Sequence, residues 1–217
     1  CIVDGVIISK LPVADAIARI FKSKGVRNRD IATSISGSSV IVKKITLPAQ
    51  MQNELEESIQ WEAEQYIPFE IGDVNLDYQI MGSTPEGNRI EVILVAAKRE
   101  KIADQTGVVS MAGRVARVVD IDAFALQNVY ELNYQPQVSS AAALLNIGAS
   151  VMNINIVRGN QFLFTRDINM GGNHYNDSLQ KELNISFEEA ESYKRTGAPN
   201  AELKKRTDSI LASVSEA

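Results

Sequence analysis

The segment with the clearest chemical potential is a short polar turn between two predicted strands. Residues 142–146 and 151–157 have strand-forming composition, and Gly148, Ala149 and Ser150 lie between them. Glycine lets the backbone come within hydrogen-bond distance of a phosphate oxygen, and the serine hydroxyl adds a donor. The pattern therefore predicts a phosphate-binding turn. An ordinary β-turn between two strands explains the same residues equally well.

Further along the chain, four residues extend this prediction to a nucleotide. Gly171 and Gly172 stand where a predicted strand ends and a helix begins, which permits close approach of an anion to the helix amino terminus. Glu191 and Lys194 are three residues apart on one helical face. Glu191 could accept hydrogen bonds from ribose hydroxyls, and Lys194 could pack on or bond to a base. The alternative for this pair is an exposed ion pair on a solvated helix.

Composition limits the other functions that the chain can have. The 217 residues, 45% of them hydrophobic, suffice for one large domain or two modest ones. The 22 basic residues are scattered and the net charge is −5, so nucleic acid is not an expected partner. No apolar run approaches the roughly 20 residues that cross a bilayer, so we expect no direct membrane insertion.

The single cysteine and the single histidine carry little chemistry. Cys1 excludes an intrachain disulfide, which suits the cytoplasm. A chain that starts at Cys1 is interpreted as truncated, because residues 1–8 have the composition of a strand entering a core; a processed lipoprotein is the alternative. His174 excludes a histidine-based metal site, and it is interpreted as a polar surface residue beside the glycine pair.

The hydrophobic patterns predict an α/β chain with an α+β insertion. Trp61 falls opposite the apolar stripe of an acidic helix, where it could cover a neighbouring subdomain or meet a partner. Ser186 and Glu189 match a capping box. The predicted helices are at 13–24, 50–66, 99–112, 122–133, 173–184, from 186 onward, and 201–215. The predicted strands are at 31–36, 40–47, 76–80, 90–96, 115–121, 142–146, 151–157 and 161–169. A turn at 37–39 is predicted to join the first two strands, and the strands at 76–80 and 90–96 are predicted to form a hairpin.

Several motifs, in order along nearly the whole chain, resemble the actin-like ATPase superfamily and, in detail, its PilM family of type IV pilus assembly proteins. The run Glu-Ala-Glu-Gln-Tyr-Ile-Pro-Phe at 62–69 is the most specific of them. The others are Ile-Ser-Gly-Ser-Ser-Val-Ile at 35–41, Lys-Ile-Thr-Leu-Pro at 44–48, Val-Asn-Leu-Asp-Tyr at 74–78, Val-Asp-Ile-Asp-Ala-Phe-Ala at 119–125, Asn-Ile-Gly-Ala-Ser at 146–150 and Phe-Thr-Arg-Asp-Ile at 164–168.

The resemblance implies an actin-like, ribonuclease-H-like fold with a 1C-type inserted subdomain, as in FtsA, in a chain incomplete at both termini. Subdomain 1A would comprise residues 1–31 and 114–135, the inserted subdomain residues 32–113, and subdomain 2A with the start of 2B residues 136–217. Two walls of the superfamily's nucleotide site would lie outside this chain, so this piece alone is expected to bind nucleotide poorly.

For the site, the resemblance implies ATP with Mg²⁺, held by the turn, the glycine pair and the Glu191–Lys194 pair. Asn146 stands where many members have a metal-binding Asp; it would contact Mg²⁺ through water, and weakly. Asp122 matches the residue that orients the attacking water, although a plain helix N-cap is an equal explanation. We therefore expect ATP binding with slow turnover at most.

For function, the resemblance implies a cytoplasmic nucleotide-binding scaffold that works with other pilus assembly proteins. The amino-terminal cytoplasmic peptide of a PilN-type membrane protein would dock in a groove on the 1A/1C side and hold the protein at the inner membrane. The alternatives are an active ATPase and a filament-forming structural protein like FtsA or its type II secretion counterpart, and a homo-oligomer is compatible with all three.

Overall fold

The computed structural model describes residues 1–3 and 5–216, except for the side chain of Glu216. Two compact units make up the chain, the first formed by Cys1–Leu144 with Asn153–Asp167 and the second by Leu145–Met152 with Ile168–Ala217. The strands of the described part are β1 (Ile2–Val3), β2 (Val6–Ile7), β3 (Asp30–Ile35), β4 (Val40–Pro48), β5 (Val74–Ser83), β6 (Arg89–Lys98), β7 (Val115–Ile121), β8 (Ala141–Ile147), β9 (Met152–Arg158) and β10 (Gln161–Ile168). Its α-helices are α1 (Lys10–Ser23), α2 (Leu55–Glu64), α3 (Arg99–Met111), α4 (Asp122–Tyr134), α5 (Gly172–Leu183), α6 (Phe187–Thr196) and α7 (Ala201–Glu216).

The main core of the first unit lies between an antiparallel sheet and α2. The strand order is β4–β6–β5, and the predicted β5–β6 hairpin is confirmed. Alternate residues of the central strand face the helix, where Val92 and Leu94 are buried. From the helix, Leu55 and Ile59 pack against them, as the predicted apolar stripe requires. Trp61, off that stripe, is 73% exposed.

The two strands joined by the predicted turn at 37–39 do not pair with each other. β3 pairs in parallel with β7, Asp30 opposite Val115, whereas β4 pairs with β6. The turn that begins at Gly37 therefore leads from one sheet into another rather than closing a hairpin. A local turn signal cannot reveal this, because the true partner of β3 lies some eighty residues further along the chain.

The amino-terminal segment also differs from the prediction of a strand entering a core. β1 and β2 form a two-residue antiparallel ladder. Ile2, Val3 and Val6 are each more than half exposed, at 54%, 56% and 51%. Asp4, which belongs to the predicted strand, lies outside the described residues.

Helix α3 contacts α1, β3, β6 and β7, and α2 shares its core with β4, β5 and β6. The predicted inserted segment 32–113 includes α2, β4, β5 and β6 together with α3 and most of β3. Its boundaries at 32 and 113, like those of the other predicted subdomains, stay a prediction.

In the second unit, three helices share a small apolar cluster. Leu179 of α5, Ala190 of α6 and Ile210 of α7 are its buried members. The capping box of α6 is confirmed, since the Glu189 N–H donates to Ser186 Oγ and the Ser186 N–H donates to Glu189 Oε2. Strands β8 to β10 form a sheet in the order β10–β9–β8. Most of their residues, 141–144, 153–158 and 161–167, belong to the first unit. No helix in the described part of the chain is long and apolar enough to cross a membrane.

Candidate functional site

The β8–β9 turn in the second unit is built against the start of α5. The Gly148 N–H donates to the Val151 carbonyl at 3.0 Å and closes the turn. The carbonyls of Gly148 and Ala149 accept hydrogen bonds from the N–H groups of Gly172 at 2.9 Å and Asn173 at 2.8 Å. The structure therefore brings the predicted turn and the predicted glycine pair together.

Gly171 is required by this contact, because no side chain fits there. A Cβ atom at Gly171 would lie 2.5 Å from the Gly148 carbonyl oxygen and 2.7 Å from that of Ala149. Gly172 is less constrained, since its added Cβ would meet only the Lys194 Nζ at 3.4 Å and the Gly148 oxygen at 3.8 Å. The close approach that the glycine pair permits in this structure is to the carbonyls of the turn.

The free donors of this region lie in the turn rather than on the helix. The first α5 amides donate within the protein, including the His174 N–H to the Gly171 carbonyl. His174 Nδ1 in turn accepts from the Gly171 N–H at 3.2 Å. By contrast, no described residue accepts a hydrogen bond from the amides of Ala149 and Ser150, and Ala149 is exposed.

Ser150 adds a side-chain donor to these two amides. Its Oγ accepts a hydrogen bond from Asn173 Nδ2 at 3.2 Å, which leaves the hydroxyl hydrogen available. Two neighbouring N–H groups and a hydroxyl in a partly exposed turn are the donor set that phosphate oxygens accept. The residues present at the turn therefore fit a phosphate group.

Glu191 and Lys194 form an ion pair and also contact the start of α5. Lys194 Nζ lies 2.6 Å from Glu191 Oε2 and donates to the Gly172 carbonyl at 3.0 Å. The hydrogen bond from Lys194, and then that from Asn176 Nδ2, lowers the pKa of Glu191. Asn176 is fully buried, and its Oδ1 has no hydrogen-bond partner among the described residues.

The two remaining predicted residues lie on different elements. Asn146 is exposed near the end of β8 in the second unit. Asp122 belongs to the first unit and is the first residue of α4, whose N-cap is Ile121, so the alternative of Asp122 as N-cap is wrong. Asp122 Oδ2 accepts a hydrogen bond from Ser36 Oγ at 2.6 Å. In the described part of the chain, no group of three or more His, Cys, Asp or Glu residues could hold a metal ion.

A second candidate site is a groove in the first unit. The family resemblance implied a partner groove without assigning its residues. Two cavities of about 640 and 500 Å³ share four lining residues and are therefore adjacent. The shared residues are Asp77 of β5, Val95 of β6, Asp120 of β7 and Phe124 of α4. We call this space the β5–β7 groove.

One sequence signal for the groove was available in β6. Residues 92–97 are apolar at every position, which is typical of a strand covered on both faces. One face, with Val92 and Leu94, packs on α2. The other face, with Val95 and Ala97, lines the groove.

These features define a class of protein: the fold is that of the actin-like ATPases. The chain belongs to the family of type IV pilus assembly protein PilM, whose family model matches residues 1–207. Its structure is similar to a solved chain of a PilM–PilN type IV pilus biogenesis complex, with a TM-score of 0.84 and 26% sequence identity over 99% of this chain. The chain spans 64% of the length of that solved chain.

Two more distant structures are also similar. The cytoplasmic domain of EpsL from the type II secretion system of Vibrio cholerae gives a TM-score of 0.48 at 15% identity, covering 72% of this chain and 56% of that one. MreB5 of Spiroplasma citri bound to ADP gives 0.48 at 14% identity, covering 89% of this chain and 43% of that one. At TM-scores below 0.5, these two matches add nothing to the assignment.

Proposed function

We propose that this protein is a nucleotide-binding scaffold of the type IV pilus machinery, which the cytoplasmic amino-terminal peptide of a PilN-type protein recruits to the inner membrane. Family membership and the similarity to a chain of a PilM–PilN complex support the choice of partner. The observation that carries the proposal is the β5–β7 groove, because it gives the peptide a place to bind.

The groove suits the apolar side chains of a short peptide. Each of its two cavities falls within the range of about 300–1,000 Å³ that is typical of ligand sites. Val95, Ala97 and Val119 supply apolar surface, and Phe124 lines both cavities. A peptide that places aliphatic side chains over these residues removes apolar surface from water, which supplies most of the binding free energy.

Binding of the PilN-type peptide is tested by calorimetric titration of the protein and of its Val95→Asp variant. A carboxylate on the floor of the groove loses hydration when a peptide covers it, so we expect the affinity to fall about tenfold or more. Val42→Asp is the matched control, because Val42 is paired with Val95 across β4 and β6 but does not line the groove. If the unmodified protein does not bind the peptide, or if both variants bind it as the unmodified protein does, the docking proposal is wrong.

The β8–β9 turn supports the nucleotide part of the proposal. The N–H groups of Ala149 and Ser150 and the Ser150 hydroxyl would hold phosphate oxygens of ATP, while Glu191 and Lys194 would contact its sugar and base. Asn146 would contact Mg²⁺ through water. Mg²⁺ bound together with ATP would neutralise part of the negative charge of the phosphates. An amide at position 146 cannot act as a base, which favours slow turnover and hence a scaffold over an efficient ATPase.

A further inference from the structure

Although basic residues occur along the whole chain, seven of the 22 lie in two segments that contain no Asp or Glu. Residues 16–29 cover the second half of α1 and the turn before β3, and residues 105–119 cover the second half of α3 and the start of β7. Six of the seven are exposed: Arg19, Lys22, Lys24, Arg27, Arg29 and Arg117. Because the chain as a whole has a net charge of −5, this positive charge is a local excess.

The fold brings the two segments together at one edge of a sheet. β3 and β7 are parallel and start side by side, with Asp30 opposite Val115. The Val115 N–H donates to the Arg29 carbonyl at 2.8 Å. Helix α1 ends at Ser23, so its last turn and the turn at 24–29 lie at the same edge. We call this edge, with its six exposed basic residues, the basic end of the first unit.

Arg114 holds the turn between α1 and β3 in place. Its Nη1 donates to the Asn28 carbonyl at 2.8 Å, and its Nη2 donates to the Val26 carbonyl at 2.9 Å. Its guanidinium carbon lies 4.7 Å from the centre of the Phe21 ring. These partners are uncharged, so Arg114 adds its own charge to the basic end while it fixes the backbone that carries the neighbouring Lys and Arg residues.

Most of the charge at the basic end has no partner within the described part of the chain. The exception is Arg117, whose Nε lies 3.2 Å from Asp30 Oδ1. The other five exposed basic side chains form no salt bridge there. Their charge is therefore available to an anion outside the protein.

The apolar residues of the basic end favour a lipid surface over a nucleic acid. Ile20 is 58% exposed and Val26 is 39% exposed, and both stand among the basic residues. Aliphatic side chains beside basic ones suit the boundary between lipid headgroups and acyl chains. Nucleic acid strands are held by aromatic rings that stack on bases. The only aromatic residue of the two segments, Phe21, has its ring against Arg114.

The basic end is connected to the β5–β7 groove by β7. Val115 begins this strand at the basic end, and residues 119–121 line the groove. Four residues of a strand span about 13 Å. A membrane-anchored peptide in the groove therefore keeps the basic end near the headgroups, where a second weak contact acts at a high local concentration.

We propose that the basic end of the first unit binds anionic phospholipid headgroups at the membrane surface. The contact is peripheral, with the basic side chains at the headgroups and Ile20 and Val26 in the headgroup region. Its place in recruitment rests on the proposed function, because the partner peptide supplies the other attachment. The lipid contact itself does not require the peptide.

Vesicle sedimentation of the full-length protein without the peptide tests the lipid contact. The protein should bind vesicles in which phosphatidylglycerol replaces a third of the phosphatidylcholine, and it should bind phosphatidylcholine alone about tenfold or more weakly. Raising the salt from about 0.1 to 1 M shortens the Debye length from about 10 to 3 Å and should abolish the binding. Equal binding to both kinds of vesicle, or binding to neither, overturns the proposal.

A matched pair of double variants locates the contact. Lys24→Gln with Arg27→Gln removes two charges from the basic end. Each charge near an anionic surface contributes about fivefold in affinity, so we expect a loss of about 25-fold. Lys204→Gln with Lys205→Gln removes the same charge from exposed positions of α7 in the second unit and should change the affinity little. Equal losses in the two double variants would contradict the assignment to the basic end.

A second double variant guards against a folding defect. Arg27→Gln with Arg29→Gln should give the same loss of vesicle binding, and both variants of the basic end should bind the PilN-type peptide as the unmodified protein does. Vesicle binding that survives in this second variant as in the unmodified protein would overturn the proposal.

The outcomes separate the lipid contact from the proposed function. Peptide binding without vesicle binding refutes only the lipid contact, whereas vesicle binding without peptide binding refutes only the docking of the peptide. A single-stranded oligonucleotide that binds more tightly than the vesicles at the same salt would assign the basic end to nucleic acid. Salt-sensitive self-association without vesicle binding would assign it to a second copy of the chain. Either result overturns the proposal.

Discussion

At the scale of single residues, Lys194 links α6 to the start of α5. It pairs with Glu191 on its own helix and donates to the Gly172 carbonyl at the start of α5. Its hydrogen bond favours the ionised form of Glu191 and lowers the pKa of that carboxyl. The resulting stabilisation is present above the pKa of Glu191 in the unfolded chain and is lost as the pH falls through the lower pKa of the folded state.

Replacing Lys194 by Met should raise the pKa of Glu191. The variant removes the largest cause of the lowered value, while the hydrogen bond from Asn176 remains. An NMR titration of the Glu191 carboxyl carbon measures the change. Lys204→Met is the control, because Lys204 is exposed on α7 and carries the same charge. The cause assigned here is wrong if Glu191 titrates alike in the two variants.

At the scale of elements, the start of α5 is held by the β8–β9 turn through main-chain hydrogen bonds. The Gly172 and Asn173 amides, which a helix leaves without internal partners, donate to carbonyls of the turn. Gly171 allows this approach because it lacks a side chain. The conformation of the turn and the position of the helix are therefore set together.

Gly171→Ala should separate the turn from the helix. The added methyl group would overlap two main-chain oxygens that cannot rotate away, so we expect the free energy of unfolding to fall by about 1–3 kcal/mol. In the matched Gly72→Ala variant, no atom lies within 4 Å of the added Cβ. That variant should be unchanged or up to about 1 kcal/mol more stable. Urea unfolding compares the two, and equal stabilities would contradict the role of Gly171.

Local sequence patterns predicted the positions of the helices and strands well. Which strands pair could not be predicted from these patterns, because pairing depends on the whole fold. The strand at 115–121, the β5–β6 hairpin and the capping box at Ser186 each depend on residues close in sequence, and each is confirmed. The pairing of β3 with β7 depends on residues far apart, so the turn at 37–39 could not reveal it. Likewise, the glycine pair was predicted from its place before a helix, but its contact with the Gly148 and Ala149 carbonyls depends on the fold.

At the scale of the whole molecule, each proposed site lies within one compact unit. The β5–β7 groove belongs to the first unit, and the β8–β9 turn with the Glu191–Lys194 pair belongs to the second. The groove residues come from β5, β6, β7 and α4, so no spacing in the sequence could identify them; the family resemblance indicated only that a groove exists. The turn, by contrast, is contiguous in sequence, and its residues were predicted individually.

ATP binding at the turn should stabilise the whole protein by mass action. At an ATP concentration 100 times the Kd, the free energy of unfolding of the full-length protein should rise by about 2.7 kcal/mol. Ser150→Ala removes one donor to a charged phosphate, so its affinity should fall about tenfold and the gain at the same concentration should shrink by about 1.4 kcal/mol.

Urea unfolding with and without Mg²⁺–ATP measures both quantities, and Ser139→Ala, an exposed serine before β8, is the control. A reduced gain in Ser150→Ala alone would place the phosphate at the turn, since the two variants make the same chemical change at different sites. If ATP leaves the stability of the unmodified protein unchanged, the nucleotide part of the proposed function is wrong. If the gain is equal in all three proteins, the nucleotide binds away from the turn.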